Sequence, residues 1–245
     1  MPNFFDVITI GSATRDVLLK NQFSVVKNKK GNTEESVVLP LGLKIPIKKI
    51  YFTTGGAGTN TAVTFARQGF RTATAVNIGN DPGGHAILVE LAKEKIDTHF
   101  IHIDTKEQTA YSVIIEPSSG ERVILNYRGA NEYLDASIIP FRKLRARWLY
   151  LTSLSGKTAI LKHAIHVKKK FGTRLAWNPG GNDLRLGLKK LLPFLKYIDV
   201  FIVNEEEAAA LLHIPYRNVE AIFKKFDSII EGIAVMTMGP KGVYV

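Results

Sequence analysis

The stretch Thr53–Gly69 reads TTGGAGTNTAVTFARQG. An apolar run, Ile50–Phe52, leads into it, and glycines follow at 55, 56 and 58. Glycine reaches backbone angles closed to other residues and lets another group approach the main chain closely. Ala62, Phe65, Ala66 and Gly69 then keep the i, i+3, i+4, i+7 spacing of a buried helical face. The stretch predicts a strand, a tight turn and a helix beginning near Thr59 or Asn60. Free N–H groups at such a helix start can bind an anion or polarise a hydroxyl. A turn needed only for close packing explains the same glycines. Neither GxxxxGK followed by Ser or Thr nor GxGxxG is matched.

Around this stretch, short apolar runs alternate with longer amphipathic ones. Strands are predicted at Asp6–Ile10, Thr72–Val76, Trp148–Thr152, Arg174–Asn178, Val200–Asn204 and Ile233–Thr237. Helices are predicted near 59–69, 83–95, 157–171, 184–195, 205–212 and 217–230. Such alternation predicts a mostly parallel sheet with helices on both faces. Two segments break the rhythm: residues 20–52, with GN and LG turns, and residues 109–127, a hairpin around Ser118–Ser119–Gly120. Both read as antiparallel additions forming a small lid. MTMGPKGVYV at 236–245 places a Gly-Pro-Lys-Gly turn between two strands, and the domain 1–245 reads as incomplete at its C-terminus.

The chain has 245 residues, 45% of them hydrophobic and 22% charged, the balance of a globular α/β domain. It contains no cysteine, which excludes disulfides and thiolate chemistry. MPNFFDVITIG lacks a basic leader region, and no run of about 18 apolar residues occurs; neither a signal peptide nor a membrane span is expected. The formal charge of +11 raises a nucleic-acid reading. The lysines, however, are spread over helix faces and loops, and aromatic interleaving is missing. The densest run, His166–Gly172 (HVKKKFG), reads as a helix end, where cations complement the dipole. His99 and His102 fall on an expected strand and His163 and His166 on a helix surface, without metal spacing. Ser153 and Ser155 lack a nucleophile-elbow context.

GGAGTNTAVTFARQG resembles the first signature of the ribokinase-like, or PfkB, carbohydrate kinases. Other positions agree in order: GSATRD (Gly11–Asp16), IGNDPGGHAI (Ile78–Ile87), NYRGAN (Asn126–Asn131), WNPGG (Trp177–Gly181), NEEEA (Asn204–Ala208) as N-x-x-E, and MTMGPKGV (Met236–Val243) as T-x-G-x-x-G. The resemblance implies a three-layer α/β/α sandwich with a small β lid. It also implies an ATP-dependent sugar kinase of the cytoplasm using Mg2+. Asp16, Gly55, Gly56, Asn60 and Arg128 would hold the substrate; Asn204, Thr237, Gly239 and Gly242 the nucleotide; and Glu207, with Asn204, the magnesium. The family's second signature, a Gly-Ala-Gly-Asp-like segment carrying the catalytic Asp, would follow Val245, so no catalytic residue is expected in this chain.

Each position also has a plainer explanation. Asp16 can be a turn or cap residue, Asn60 a helix cap, and Glu205–Glu207 an acidic helix start. Gly239 and Gly242 are the glycines a hairpin needs. Asp81 before Pro82 reads as an N-cap. The alternatives left open are a nucleoside kinase of the same fold and a sugar binder without turnover. A homodimer through the lid and a small-molecule sugar or nucleoside partner are expected; nucleic acid and membrane are not.

Overall fold

The computed structural model describes residues 4–27, 35–117, 121–216 and 218–245. In chain order the strands are β1 (Phe5–Ile10), β2 (Thr14–Lys20), β3 (Ser24–Lys27), β4 (Glu35–Val38), β5 (Lys49–Gly55), β6 (Thr72–Ala75), β7 (Asn77–Gly79) and β8 (His102–Asp104). They continue with β9 (Ala110–Glu116), β10 (Val123–Tyr127), β11 (Ala146–Thr152), β12 (Arg174–Asn178), β13 (Val200–Asn204), β14 (Ile233–Thr237) and β15 (Val243–Tyr244). The helices are α1 (Ala57–Arg67), α2 (Pro82–Lys93), α3 (Thr158–Phe171), α4 (Gly181–Leu184), α5 (Leu188–Leu195), α6 (Glu205–Leu212) and α7 (Val219–Asp227).

A seven-stranded sheet runs in the order β15-β14-β13-β12-β11-β1-β6. All its pairings are parallel except β14 with β15. Side chains alternate across a strand, and the sheet uses that alternation to separate two layers. Leu149, Leu151, Leu175, Trp177, Phe201 and Met236 are buried with Ile160, Leu195 and Phe226 of the helices α3, α5 and α7. Residues of the opposite parity face α1, where Phe65 meets Tyr150 edge-on at 5.5 Å. The result is a three-layer α/β/α sandwich. Beyond α1 that second face is only partly covered: Phe65, Phe70, Trp148, Tyr150, Val200 and Ile202 line a cavity of about 310 Å3, and Ile233 is 51% exposed.

A separate four-stranded sheet has the order β10-β9-β2-β5. β10 is exposed along its length and β5 from Lys49 to Thr53, with Phe52 and Leu125 each 56% exposed. The hairpin of β9 and β10 is the one the sequence predicts, although its turn, residues 118–120, lies outside the described residues, as does Gly31–Asn32. The sheet's second component differs from expectation. Residues 14–20, where no strand was predicted, form β2, which pairs with β5 on one side and β9 on the other.

Three further boundaries shift. The first helix starts at Ala57, ahead of Thr59, because Gly56 at φ 95 turns the chain earlier. The helix expected over 184–195 is two, α4 and α5, separated by Gly187 at φ 78. His99 sits in a turn; His102 is on β8. His163 and His166 are exposed on α3, whose last turn carries Lys168–Lys170 ahead of a left-handed Gly172, a favourable end for the helix dipole.

Candidate functional site

The opening glycine stretch meets the loop after β1. Ala57 donates to Ser12 Oγ at 2.9 Å, Gly58 to the Ser12 carbonyl at 2.9 Å, and Thr59 to the same carbonyl at 3.4 Å. The first three N–H groups of α1 are thus all committed to Ser12. This overturns the expectation that the helix start offers free donors to an anion. Asn60 lies inside the helix and is not its cap.

The glycines are explained by what they touch. A Cβ on Gly55 would stand 1.9 Å from Asp16 Oδ2, and one on Gly56 2.7 Å from Ala13 Cα. Asp16 sits in the middle of β2, and a polar row crosses the four-stranded sheet through it: Asn126, Ser112, Asp16, Thr53. The next row outward on the same face is Ile124, Ile114, Leu18 and Tyr51. Asp16 Oδ1 is buried without a hydrogen-bond partner. Burial pushes its carboxyl above the ordinary value, against the opposing pull of Ser112 and Arg15. An unsatisfied buried acceptor costs about 1–3 kcal/mol, a cost that a bound hydroxyl donor would remove.

Arg128 stands at the start of the 3-10 turn Gly129–Tyr133. It donates to Ser155 Oγ at 3.3 Å and pairs with Glu132 at 3.4 Å. Ser155 in turn donates to the Asn131 carbonyl at 2.9 Å. The Asn131 side chain clamps Ala13, accepting from its N–H at 3.0 Å and donating to its carbonyl at 2.9 Å. Gly55 and Gly56, Asp16, Ala13, Asn131 and Arg128 therefore form one connected set beyond the C-terminal ends of β1 and β11. Asn60 is exposed and faces an open groove of about 500 Å3 shared with Thr53, Thr54, Thr64 and Glu90. Its N–H donates to the Gly56 carbonyl at 2.9 Å, and Thr53 in the same groove is the cross-strand neighbour of Asp16.

Two carboxylates outside the expected substrate set hold this frame. Asp81 caps α2 as predicted, accepting from Gly84 N at 2.8 Å, and also binds Thr109 through N at 2.6 Å and Oγ1 at 2.7 Å. Burial opposes its charge, but these donors hold the carboxyl below its usual value. Asp183, 1% exposed, accepts from Leu154 N, Gly156 N and Gly180 N at 3.0, 2.7 and 2.8 Å. Burial raises its pKa against those three bonds. It pins the segment where Ser153 and Ser155 adopt φ 49 and 55. The sequence reading missed Asp183, which stands at the third helical position after the cap residue Gly180. It also missed Glu90, which has no local signature: its oxygens accept from Arg15 at 2.5 Å and Thr54 N at 2.8 Å.

The expected nucleotide residues gather at the ends of β13 and β14, where Asn204 and Thr237 are register neighbours. Asn204 and Glu207 form a reciprocal capping box: Glu207 N donates to Asn204 Oδ1 at 2.7 Å, and Asn204 N to Glu207 Oε2 at 2.9 Å. The acidic helix start is therefore used as a cap, which leaves Glu207 Oε1 for another partner. Gly239 and Gly242, at φ 54 and 102, form the turn between β14 and β15, closed by Met238 N donating to the Gly242 carbonyl at 2.9 Å. Among the described residues no group of three or more His, Asp or Glu side chains is placed to hold a metal. No helix there is long and apolar enough to cross a membrane.

The chain is 29% identical to a ribokinase of Haemophilus influenzae over 199 residues, covering 78% of this chain and 62% of the relative. It is 28% identical to the probable fructokinase-4 of Arabidopsis thaliana, with 77% and 61% covered. The chain thus spans less than two thirds of these relatives' length. The fold matches the structure of Arabidopsis thaliana ribokinase complexed with ribose and ATP at a TM-score of 0.72 and 20% identity, over 98% of this chain and 73% of that one. It matches a PfkB protein from Polaromonas sp. JS666 at a TM-score of 0.74 and 19% identity, over 98% and 79%. Residues 30–245 match the model of the pfkB family carbohydrate kinases, and the chain belongs to that family.

Proposed function

We propose that the protein takes part in ATP-dependent phosphorylation of a sugar hydroxyl. The observation that carries this reading is Asp16 Oδ1, a buried acceptor without a partner in the polar row Asn126, Ser112, Asp16, Thr53 of the four-stranded sheet. Asp16 accepts hydrogen bonds from two neighbouring sugar hydroxyls and so fixes the ring. Gly55 and Gly56 allow the sugar to lie against the backbone, Asn60 adds an amide contact as the sheet closes, and Arg128 meets the far side of the substrate. Thr237, Gly239, Gly242 and Asn204 shape the nucleotide site.

Magnesium fits the donor set modestly. Glu207 Oε1 and the Asn204 side chain stand together at a helix start, and this ion is commonly held by one or two carboxylates and several waters. When bound, it offsets the charge of the phosphates. Proton removal from the acceptor hydroxyl has no assigned residue in positions 1–245. We infer that these residues bind and orient, while turnover requires a base carried elsewhere. The partly covered sheet face around Trp148, Ile202 and Ile233 supports this, because a complete sandwich would bury it.

The four-stranded sheet acts as a lid, and a second copy packs on its outward face. Ile50, Phe52, Val123 and Leu125 all stand opposite the Asp16 row, and each is more than a third exposed. The cysteine-free composition fits a reducing compartment, and we place the reaction in the cytoplasm.

The test is calorimetric titration of the protein with ribose, fructose, ketodeoxygluconate, adenosine and cytidine. A sugar that binds the wild type and not Asp16→Ala supports the reading. Binding of nucleosides alone replaces the sugar by a nucleoside, and sugar binding unaffected by Asp16→Ala overturns the site.

A further inference from the structure

The helical layer carries a second cavity that shares no residue with the cleft described above. It measures about 650 Å3 and lies between α3 and the 3-10 turn Phe141–Lys143. Arg142, Lys162, His163, His166 and Lys170 line it, and among the described residues no acidic one does. On α3 the four lining bases fall at i, i+1, i+4 and i+8, which places them along one outward stripe. Their helix buries Ile160, Leu161, Ala164 and Ile165 on the other side.

The floor is apolar and fixed. Phe141 stacks on the His163 ring at 5.2 Å with an interplanar angle of 20°. The Phe171 ring is held by Arg145, 3.7 Å from its centroid. The basic groups therefore sit over a rigid platform.

The pairing of charges on α3 is uneven. Lys168 bonds Asp199 at 2.5 Å, and Lys169 lies over the Tyr197 ring at 4.6 Å. By contrast, the side chains of Arg142, Lys162 and His166 have no ion pair or hydrogen bond among the described residues. Asp135, which feels the charge of His163, already accepts from Ser137 N at 3.0 Å. Arg142, Lys162 and Lys170 hold positive charge around one cavity, and an anion lying between them would relieve their mutual repulsion. A cavity of this size is in the range of small-molecule sites, roughly 300–1,000 Å3, and is larger than one phosphate needs.

We infer that this cavity binds a small molecule carrying two or more phosphate groups, at a site separate from the kinase cleft. The cations converge from two elements, so the ligand bridges the 3-10 turn and α3 and does not lie along the helix alone.

Calorimetric titration of the 245-residue protein with inorganic pyrophosphate and tripolyphosphate tests this. Arg142→Glu/Lys162→Glu is compared with Lys189→Glu/Lys190→Glu, which changes net charge equally on the exposed side of α5. The expected result is a loss of about tenfold or more in affinity for the first variant and under about twofold for the second. Slowed amide exchange over residues 158–171 in the presence of pyrophosphate should accompany binding. Equal losses in both variants, or unchanged binding in Arg142→Glu/Lys162→Glu, overturn the site. Tighter binding of a single-stranded RNA than of tripolyphosphate, lost in the same variant, overturns the small-molecule assignment in favour of nucleic acid.

Discussion

Gly55→Ala is the sharpest probe of the substrate cleft, because it removes no proposed ligand-binding side chain and acts on Asp16 by displacement alone. The new methyl would stand 1.9 Å from Asp16 Oδ2 and 2.5 Å from its Cγ. Neither backbone can yield easily: Thr14 pairs with Gly55 and Asp16 with Thr53 in a continuous antiparallel register. The Asp16 side chain must rotate instead, and an off-rotamer χ costs about 0.5–1.5 kcal/mol. For a chain of this size that is a melting-temperature drop of about 2–4 °C per kcal/mol. Binding should suffer more. Displacing the carboxylate from even one sugar hydroxyl forfeits a hydrogen bond to a charged group, worth about 1.5–3 kcal/mol, or roughly tenfold to a hundredfold in Kd. Melting and sugar titration on the same preparation separate the two effects. Sugar affinity within about twofold of wild type, alongside the expected small melting shift, would refute the link between Gly55, the Asp16 carboxylate and the substrate.

Three other outcomes are expected. Asp183→Ala leaves the N–H groups of Leu154, Gly156 and Gly180 without their acceptor; it should cost on the order of 3–5 kcal/mol, read from urea midpoints. Asn204→Ala removes a cap and should cost about 1 kcal/mol, whereas Asn204→Asp keeps the Oδ1 acceptor and should melt close to wild type. Glu90 is subject to a burial penalty, yet the Thr54 and Arg15 donors hold its pKa below the ordinary 4.5. A depressed folded-state value stabilises above the unfolded value and is lost as pH falls through the folded one. The stability gap between wild type and Glu90→Gln should therefore be full at neutral pH and narrow progressively below about pH 4.5; a gap independent of pH across that range would contradict this assignment.

The parallel core was legible because its strands are continuous apolar runs. Arg174–Asn178, Val200–Asn204 and Ile233–Thr237 fall where the structure has strands, since burial on both faces leaves little room for polar interruption. β2 was hidden for the opposite reason. Its sequence, TRDVLLK, mixes charge with apolar residues, because one of its faces meets Glu90 of α2 while the other carries Asp16. The start of α1 was misplaced because its cap comes from Ser12, 45 residues upstream of Ala57, and no local pattern announces such a partner. Asp81 succeeded where Glu90 failed: a cap is written in adjacent residues, and a clamp between a helix and two strands is not. Asp16, Asn204 and Glu207 were singled out through the family resemblance, which picks residues by order along the chain.

The position of β1 bears on how the molecule is made. The first strand of the chain lies between β6 and β11, pairing Val7 with Thr72 and Phe5 with Ala146. A ribosome adds about 5–20 residues per second, so the second neighbour of β1 arrives on the order of ten seconds after β1 itself. Until then an apolar strand is paired along one edge only. The sheet that holds Asp16 faces the same delay, since Thr14 of β2 must wait for Ala110 of β9. Closing such long loops before any contact repays them slows folding. The nascent chain therefore spends that interval with an open β edge, a template for pairing with another chain. Slowing synthesis before residue 146 should raise the share of aggregated product more than the same delay placed after it.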